Sequence, residues 1–405
     1  MVYLDNAATT KIAPEVLDAM MPYLTEEYGN AGTLYSLGRS AAVAIQSARE
    51  QAAKLFGCTA DHVIFTSGGS ESNNMVFKGL RHKLLEHGKK HIIVSAVEHD
   101  SVLKAAESLI KDGFYITYVK PNREGAIEAQ DIERAIQEDT GLVSVMYVNN
   151  ETGAVNNIRA IGQICRVHSV LFHTDCVQAA GQFQVDVNKD CVDFASVSSH
   201  KLHGPKGVGA LYVRETDILP LICGGSEQEF GLRGGTENVP GIIGLGEACS
   251  LAVDSMRGDT IQVSVLKQKF YTQLIESLKL YEIDRDSVHV NGRPVIESGK
   301  TLNLRFDGVD AESLLLMLDA SGICVSAGSA CSSHEAKPSH VLVAMGLSSE
   351  EARGSLRFSF SKYNTEEEIQ YAAQIIASCV FTLRRYAKEV PGDEMDFELH
   401  PSDAL

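Results

Sequence analysis

Short apolar runs alternate with helix-period segments along most of this 405-residue chain, and few folds accept that rhythm. Val63-Ile-Phe-Thr66, Ile92-Ile-Val-Ser95 and the runs 114–119, 142–148, 170–175 and 191–197 read as strands. Their apolarity is continuous rather than alternating, which predicts burial on both faces of a sheet. Between them lie helical patterns, such as 40–56, closed by Gly57, and 131–138. Those helices serve as crossovers, so a mostly parallel sheet of the α/β class is expected. Beyond Pro240 a long helical stretch leads into a second module, read as strand (302–306), helix (311–319), strand, loop, strand (356–360) and helix (366–386). The expected division is a large domain over 14–255 and a smaller α+β domain from 1–13 with 256–390. An acidic, solvated tail over 391–405 completes it.

Composition removes several classes of function. Thirty-six basic residues against fifty-three acidic ones give a formal charge of −17, which argues against direct nucleic-acid binding. No continuous apolar run approaches the ~20 residues of a membrane span, and Met1-Val-Tyr-Leu-Asp5 lacks the regions of a signal peptide. Nine cysteines without metal-ligand spacing suit a reduced compartment, so a cytoplasmic location and no metal are expected.

Three strand ends carry the chemistry. Lys201 lies in Ser198-Ser-His-Lys-Leu-His-Gly-Pro-Lys-Gly-Val-Gly209, after an apolar strand and among small residues. An amine there can lose its proton cheaply and condense with an aldehyde cofactor; the alternative is a surface lysine of the kind Lys206 represents. After Thr66, Ser67-Gly-Gly-Ser70 opens a helix whose free N–H groups favour an anion; taken alone it could be a bare helix start. Asp175 ends a third strand, where a carboxylate can pair with a protonated pyridine nitrogen; alone it could be a capping residue. Anion cup, acid and lysine in that order are what a pyridoxal phosphate site requires.

With these motifs on the page, the chain resembles the class V aminotransferase-like enzymes of fold type I, and within them the cysteine desulfurases of the NifS and IscS type. The resemblance runs nearly end to end. It includes Tyr3-Leu-Asp-Asn-Ala-Ala-Thr-Thr10, Tyr28-Gly-Asn30, Val97-Glu-His99, Val148-Asn-Asn-Glu-Thr-Gly153, Gly231-Leu-Arg-Gly-Gly-Thr-Glu-Asn238, Val325-Ser-Ala-Gly-Ser-Ala-Cys331 and Ser355-Leu-Arg357-Phe-Ser. It implies a large domain built on a seven-stranded, mostly parallel sheet flanked by helices, and pyridoxal 5′-phosphate as cofactor. The phosphate is expected on Gly69 and Ser70 with Ser198 and His200, and on Thr236 from a partner subunit, which makes a homodimer part of the expectation. Gln178 and Asn150 are expected at the ring's phenolic oxygen, with Asn150 also near the substrate. His99 is expected against the ring face, and Arg357 on the carboxylate of an amino-acid substrate. On alternating strand positions, Arg357 faces away from Leu356, Phe358 and Phe360.

Cys331 separates desulfuration from transamination. It sits in a small, polar stretch, Ser326-Ala-Gly-Ser-Ala-Cys-Ser-Ser, unlike Cys249 and Cys379, whose surroundings are apolar. The spacing to Arg357 resembles the long-loop subgroup, whose cysteine swings between cofactor and acceptor. The expected reaction takes L-cysteine to L-alanine and hands the sulfur, as a persulfide on Cys331, to an acceptor such as an iron–sulfur scaffold or a thiolation enzyme. Alternatives are a selenocysteine lyase or aminotransferase of the same family, and a catalytically silent pyridoxal-binding scaffold. Several positions depart from the pattern: Tyr35, the block from Gly225 to Phe230, Cys176 and Cys324. Cys324 is expected in a buried strand.

Overall fold

The computed structural model describes residues 1–214, 218–223, 228–292, 299–327 and 338–389. Its strands are β1 (Val2–Tyr3), β2 (Val63–Thr66), β3 (His91–Ser95), β4 (Tyr115–Val119), β5 (Thr140–Ser144), β6 (Leu171–Asp175), β7 (Phe194–Ser198), β8 (Gly209–Val213), β9 (Val288–Val290), β10 (Thr301–Phe306), β11 (Ile323–Cys324), β12 (Ser326–Ala327) and β13 (Ser355–Ser359). The helices are α1 (Pro14–Thr25), α2 (Ser36–Phe56), α3 (Gly69–Glu86), α4 (Asp100–Glu107), α5 (Ala129–Ala135), α6 (Ile158–Val167), α7 (Val239–Lys279), α8 (Ala311–Ala320), α9 (His340–Ala344), α10 (Ser349–Arg353) and α11 (Glu366–Glu389).

The principal sheet has seven strands in the order β2-β8-β7-β6-β5-β3-β4. Only β8 runs against its neighbours. Alternate residues divide between two cores: Phe65, Ile93, Val143 and Phe172 face one helical layer, while Ile64, Ile92, Leu142 and Phe194 face α3 and α4. That two-sided burial is why the strand sequences read as unbroken apolar runs. The exception is β4, expected to be buried on both faces but lying at the sheet edge, where Tyr115 and Tyr118 are exposed. The C-terminal ends of β2, β6 and β7 place Thr66, Asp175 and Ser198 on one rim, the usual ligand-binding edge of such sheets.

A second, antiparallel sheet runs β12-β13-β10-β9, and β1 pairs in parallel with β11. Leu356 and Phe358 of β13 and Phe360 beyond it point into a core shared with α7, α8 and α11; Phe270 packs 5.1 Å from Phe358 and 5.3 Å from Phe360. Truncating one such ring costs about 3–5 kcal/mol, so the strand bearing Arg357 is firmly held.

α7 links both modules. Its first half buries Ile242, Leu245 and Cys249 in the first core, and its second half buries Phe270 and Leu274 in the second. Among the described helices α7 alone is long and apolar enough, by length and composition, to cross a membrane, with half of that stretch buried in the fold. Glu247 and Asp254 interrupt it, so no continuous apolar run stood out in the sequence.

Cys331 and the tail from Pro391 lie outside the described residues, as do positions 225–227 of the Gly225–Phe230 block. Cys249 and Cys379 are buried among apolar side chains, whereas Cys324 is only half-buried on the two-residue strand β11.

Candidate active site

Lys201 ends a short turn, Ser199–Lys201, directly after β7. Its Nζ donates to the carbonyls of Ala7 at 2.5 Å and Ala8 at 2.7 Å. Burial, and then the Arg357 guanidinium, lower its pKa to about 8, against the opposing pull of Asp5 and Asp175. The amine is therefore partly neutral near physiological pH, as an attack on an aldehyde needs.

On the same rim, Gly68 caps α3 at φ 151° without a side-chain cap. The first N–H groups of a helix have no carbonyl partner within it. Space around them is reserved by glycine: a Cβ on Gly69 would lie 2.8 Å from Val177 Cγ2, and one on Gly209 would lie 2.7 Å from Gly68 Cα. Ser198 lines this cradle and is buried, whereas Ser70, one residue into α3, is exposed. Glu71 does not oppose an anion there: its carboxylate accepts from Ser67 N–H and pairs with Arg233 at 3.0 Å. His200 bonds Thr9 Oγ1 at 3.1 Å, and burial, followed by Lys201, Lys206 and Lys300, lowers its pKa to about 4. Thr236 is exposed in the segment before α7, and no hydrogen bond among the described residues joins it to the cradle.

Asp175 is buried, with Oδ1 accepting from Val177 N–H at 2.9 Å and Oδ2 from Asn73 Nδ2 at 2.8 Å. The second Asn73 N–H goes to Ser101 Oγ at 2.9 Å, and Ser101 gives its hydroxyl proton to His99 Nδ1 at 2.8 Å. The Ser101 backbone N–H also points at Nδ1, at 3.1 Å. An Nδ1 that accepts two donors carries no proton, so neutral His99 holds its proton on Nε2. A continuous chain thus joins His99 to Asp175 through Asn73 and Ser101, neither of which the sequence had singled out. The adjacent Glu98 is fully buried, which raises its carboxyl well above the ordinary range even though Met146 N–H donates to it. Burial thus works against a second negative charge beside Asp175.

Arg357 lies on β13 opposite Asn303 of β10 and Ser326 of β12. It donates to Asp5 Oδ1 at 2.9 Å and to the Asn150 carbonyl at 3.1 Å, and its buried Nε has no partner among the described residues. Asn150 thus meets Arg357 through its backbone. Gln178 gives Nε2–H to the Ala7 carbonyl at 2.9 Å, and its buried Oε1 has no partner among the described residues. The segment Asp5–Thr10 is the wall common to Arg357, Lys201, Gln178 and His200. It was quoted from the sequence without a role; its repeated small and polar residues were the available signal.

Residues 2–372 match the family described as aminotransferase class-V. The chain belongs to that family. Among curated relatives of this class-V chain, cysteine desulfurase IscS of Dictyoglomus turgidum is 44% identical over 384 residues, 95% of each chain. Cysteine desulfurase IscS of Methanosarcina thermophila is 40% identical over 391 residues, covering 96% of this chain and 94% of that one. Of solved structures, a NifS-like protein superposes with TM-score 0.83 at 35% identity, covering 93% of this chain and 98% of that one. A structure described as SspA in complex with cysteine gives TM-score 0.75 at 35% identity, covering 90% of this chain and 100% of that one.

This class-V protein is a pyridoxal 5′-phosphate enzyme of fold type I, and its pocket fits that group. The glycine cradle keeps open the space at the start of α3, Asp175 faces the rim as a carboxylate, and Lys201 supplies a buried amine. Only the neutral amine adds to an aldehyde, and Lys201 loses its proton through about pH 8. Cofactor uptake by the apo protein should therefore accelerate as pH rises through that value and then level off, followed as growth of the lysine-bound absorbance. A rate that keeps rising about tenfold per unit past pH 9 without levelling would show that the amine is not held low.

Proposed function

We propose that this chain is a cysteine desulfurase: it converts L-cysteine to L-alanine and passes the sulfur, as a persulfide on Cys331, to an acceptor protein. The observation that carries this reading is where the segment bearing Cys331 leaves and rejoins the fold. On one side Ser326 pairs with Arg357 in the sheet. On the other, Ser339 donates to Glu151 at 2.5 Å and His340 Nε2 to the carbonyl of Glu98, next to His99, at 3.0 Å. Ala327, four positions before Cys331 in the chain, pairs with Leu356 beside Arg357, at the edge of that pocket.

When bound, pyridoxal phosphate supplies an electron sink for bonds broken at the substrate's α- and β-carbons. The α3 cradle with Ser198, His200 and a partner's Thr236 holds its phosphate, and Asp175 keeps a proton on the ring nitrogen. Gln178 and Asn150 serve the phenolic oxygen. Arg357 takes the substrate carboxylate: its Nε has no partner among the described residues, and its Nη2 exchanges Asp5 for the substrate. Lys201, once free, takes the Cα proton and returns it. The Cys331 thiolate attacks the substrate Sγ: the S–S bond forms as Cβ–Sγ breaks, and Cβ then gains a proton. Thiol plus cysteine become persulfide plus alanine. His99 offers Nε2–H, so in this tautomer it steadies a thiolate or the ring as a donor and cannot act there as a base.

Asn73→Ala removes a hydrogen bond to a buried carboxylate and cuts the link to Ser101. The expected loss is about ten- to hundredfold in kcat, with lysine-bound cofactor retained. An unchanged kcat would separate His99 from Asp175.

A homodimer is part of the proposal. Met21, Leu24, Tyr28, Leu34, Tyr35 and Val43 are exposed on and between α1 and α2, and an apolar face of that kind is used for association. So are a division into domains at 14–255 and 1–13 with 256–390, a cytoplasmic location, and an iron–sulfur scaffold or thiolation enzyme as acceptor. The test is alanine release from cysteine and from selenocysteine by the purified holoenzyme. Release from selenocysteine alone makes it a lyase, and a bleached absorbance without alanine makes it a silent scaffold.

A further inference from the structure

A cavity of about 70 Å³ is lined by Gln182, Lys201, Leu202, Val263, Lys300 and Ser361 among others. At ~10–15 Å³ for each ordered water it has room for about five. None of the cradle residues Gly69, Ser70 or Ser198, nor Asp175 or His99, lines it.

Lys300 sets the character of this cavity. It is 8% exposed, and an ammonium has three N–H donors to place. Its one hydrogen bond among the described residues is a long contact, 3.5 Å, to the Lys201 carbonyl. The other charged groups of the lining are already engaged. Lys362 pairs with Asp259 at 2.8 Å, and Ser255 donates to the same Asp259 oxygen at 2.6 Å. His203 Nδ1 bonds the Lys11 carbonyl, and burial above all lowers its pKa to about 4, so it is uncharged at neutral pH. Lys201 turns its Nζ to Ala7 and Ala8. Ser361, also in the lining, accepts from Tyr363 N–H at 3.2 Å, and its own hydroxyl proton reaches no acceptor among the described residues. In this half-open, largely apolar pocket Asp259 is already balanced by Lys362, so the surplus ammonium and the hydroxyl donor have no anion of their own.

We propose that this cavity binds a small monovalent anion, of the size of a halide, formate or bicarbonate, on the Lys300 ammonium and the Ser361 hydroxyl. The inference does not rest on the desulfurase reading. Its pH dependence has a definite sign. Burial, then Lys201, then Arg357, bring Lys300 to about 7, while His203 is neutral and Lys362 is balanced by Asp259. Above that pH the anion enters only together with a proton, so its affinity falls about tenfold per unit; below it the affinity is level.

Bromide is the probe. Crystals of the holoenzyme grown with bromide should show an anomalous peak beside Lys300 Nζ, and calorimetric titration should find a single site. Lys300→Met should abolish it, Ser361→Ala should weaken it about tenfold, and Lys206→Met, at an exposed lysine, should leave it unchanged. Melting temperature and cofactor absorbance verify that each variant is folded, and Ser361→Ala serves if Lys300→Met is not. Binding that survives Lys300→Met, an affinity constant from about pH 6 to 9, or no peak at Lys300 overturns the proposal in favour of a neutral amine with water.

Discussion

Cys331→Ala should lose sulfur transfer by roughly a thousandfold or more while the holoenzyme keeps its lysine-bound cofactor absorbance. The reason is a separation of labour. Lys201, Asp175 and the α3 cradle engage the cofactor without any thiol, so its attachment does not need Cys331. The S–S bond does need it: without a nucleophilic sulfur the substrate's Cβ–Sγ bond has no acceptor. Sulfide yield measured with a carrier protein present is the readout. If it survives in Cys331→Ala, another thiol is the acceptor, and half-buried Cys324 on β11, paired opposite Tyr3, is the first to replace.

Lys201→Ala should remove the lysine-bound absorbance altogether and lower alanine formation by at least about 10⁴-fold, the combined loss of covalent attachment and of the proton carrier at Cα. Pyridoxal phosphate should still bind, reversibly, because Asp175 and the helix start remain, and dialysis should then strip it. Alanine production within tenfold of wild type would move the chemistry to a different amine, with Lys300 the nearest candidate: its Nζ lies 3.5 Å from the Lys201 carbonyl.

Much of this was legible because the sheet is buried on both faces and its strands end in chemistry. Thr66, Asp175 and Ser198–Lys201 stand out as polar residues closing apolar runs, and they share one rim because parallel strands end together. Edge position was not legible: Phe114-Tyr-Ile-Thr-Tyr-Val119 is as apolar as an inner strand, and only the pairing of β4 with β3 alone leaves its tyrosines exposed. Asn73 and Ser101 escaped notice because polar residues are ordinary in the first turns of helices. Their meaning lies in α3 and α4 bringing them together from 28 positions apart. Asp5 was hidden by distance, 352 positions from its partner Arg357. Lys300 follows Ser298-Gly299 and reads as part of a loop, whereas packing against Lys201 makes it a buried cation. Helix ends shifted by a few residues, as with α2, which begins at Ser36 rather than Ser40.

The pairing of the chain's first residues with its last strand has a consequence for biogenesis. Asp5 is made 352 positions before Arg357, and Asn6 353 positions before Ser359, the residues that hold them beside Lys201. Until then the Ala7–Thr10 stretch has its contacts to Gln178 and His200 but lacks the clamp of Arg357 and Ser359. Such long-range closure is slow, so the coenzyme site is completed only after β13 has been made, and chains that stop short of it should stay colourless.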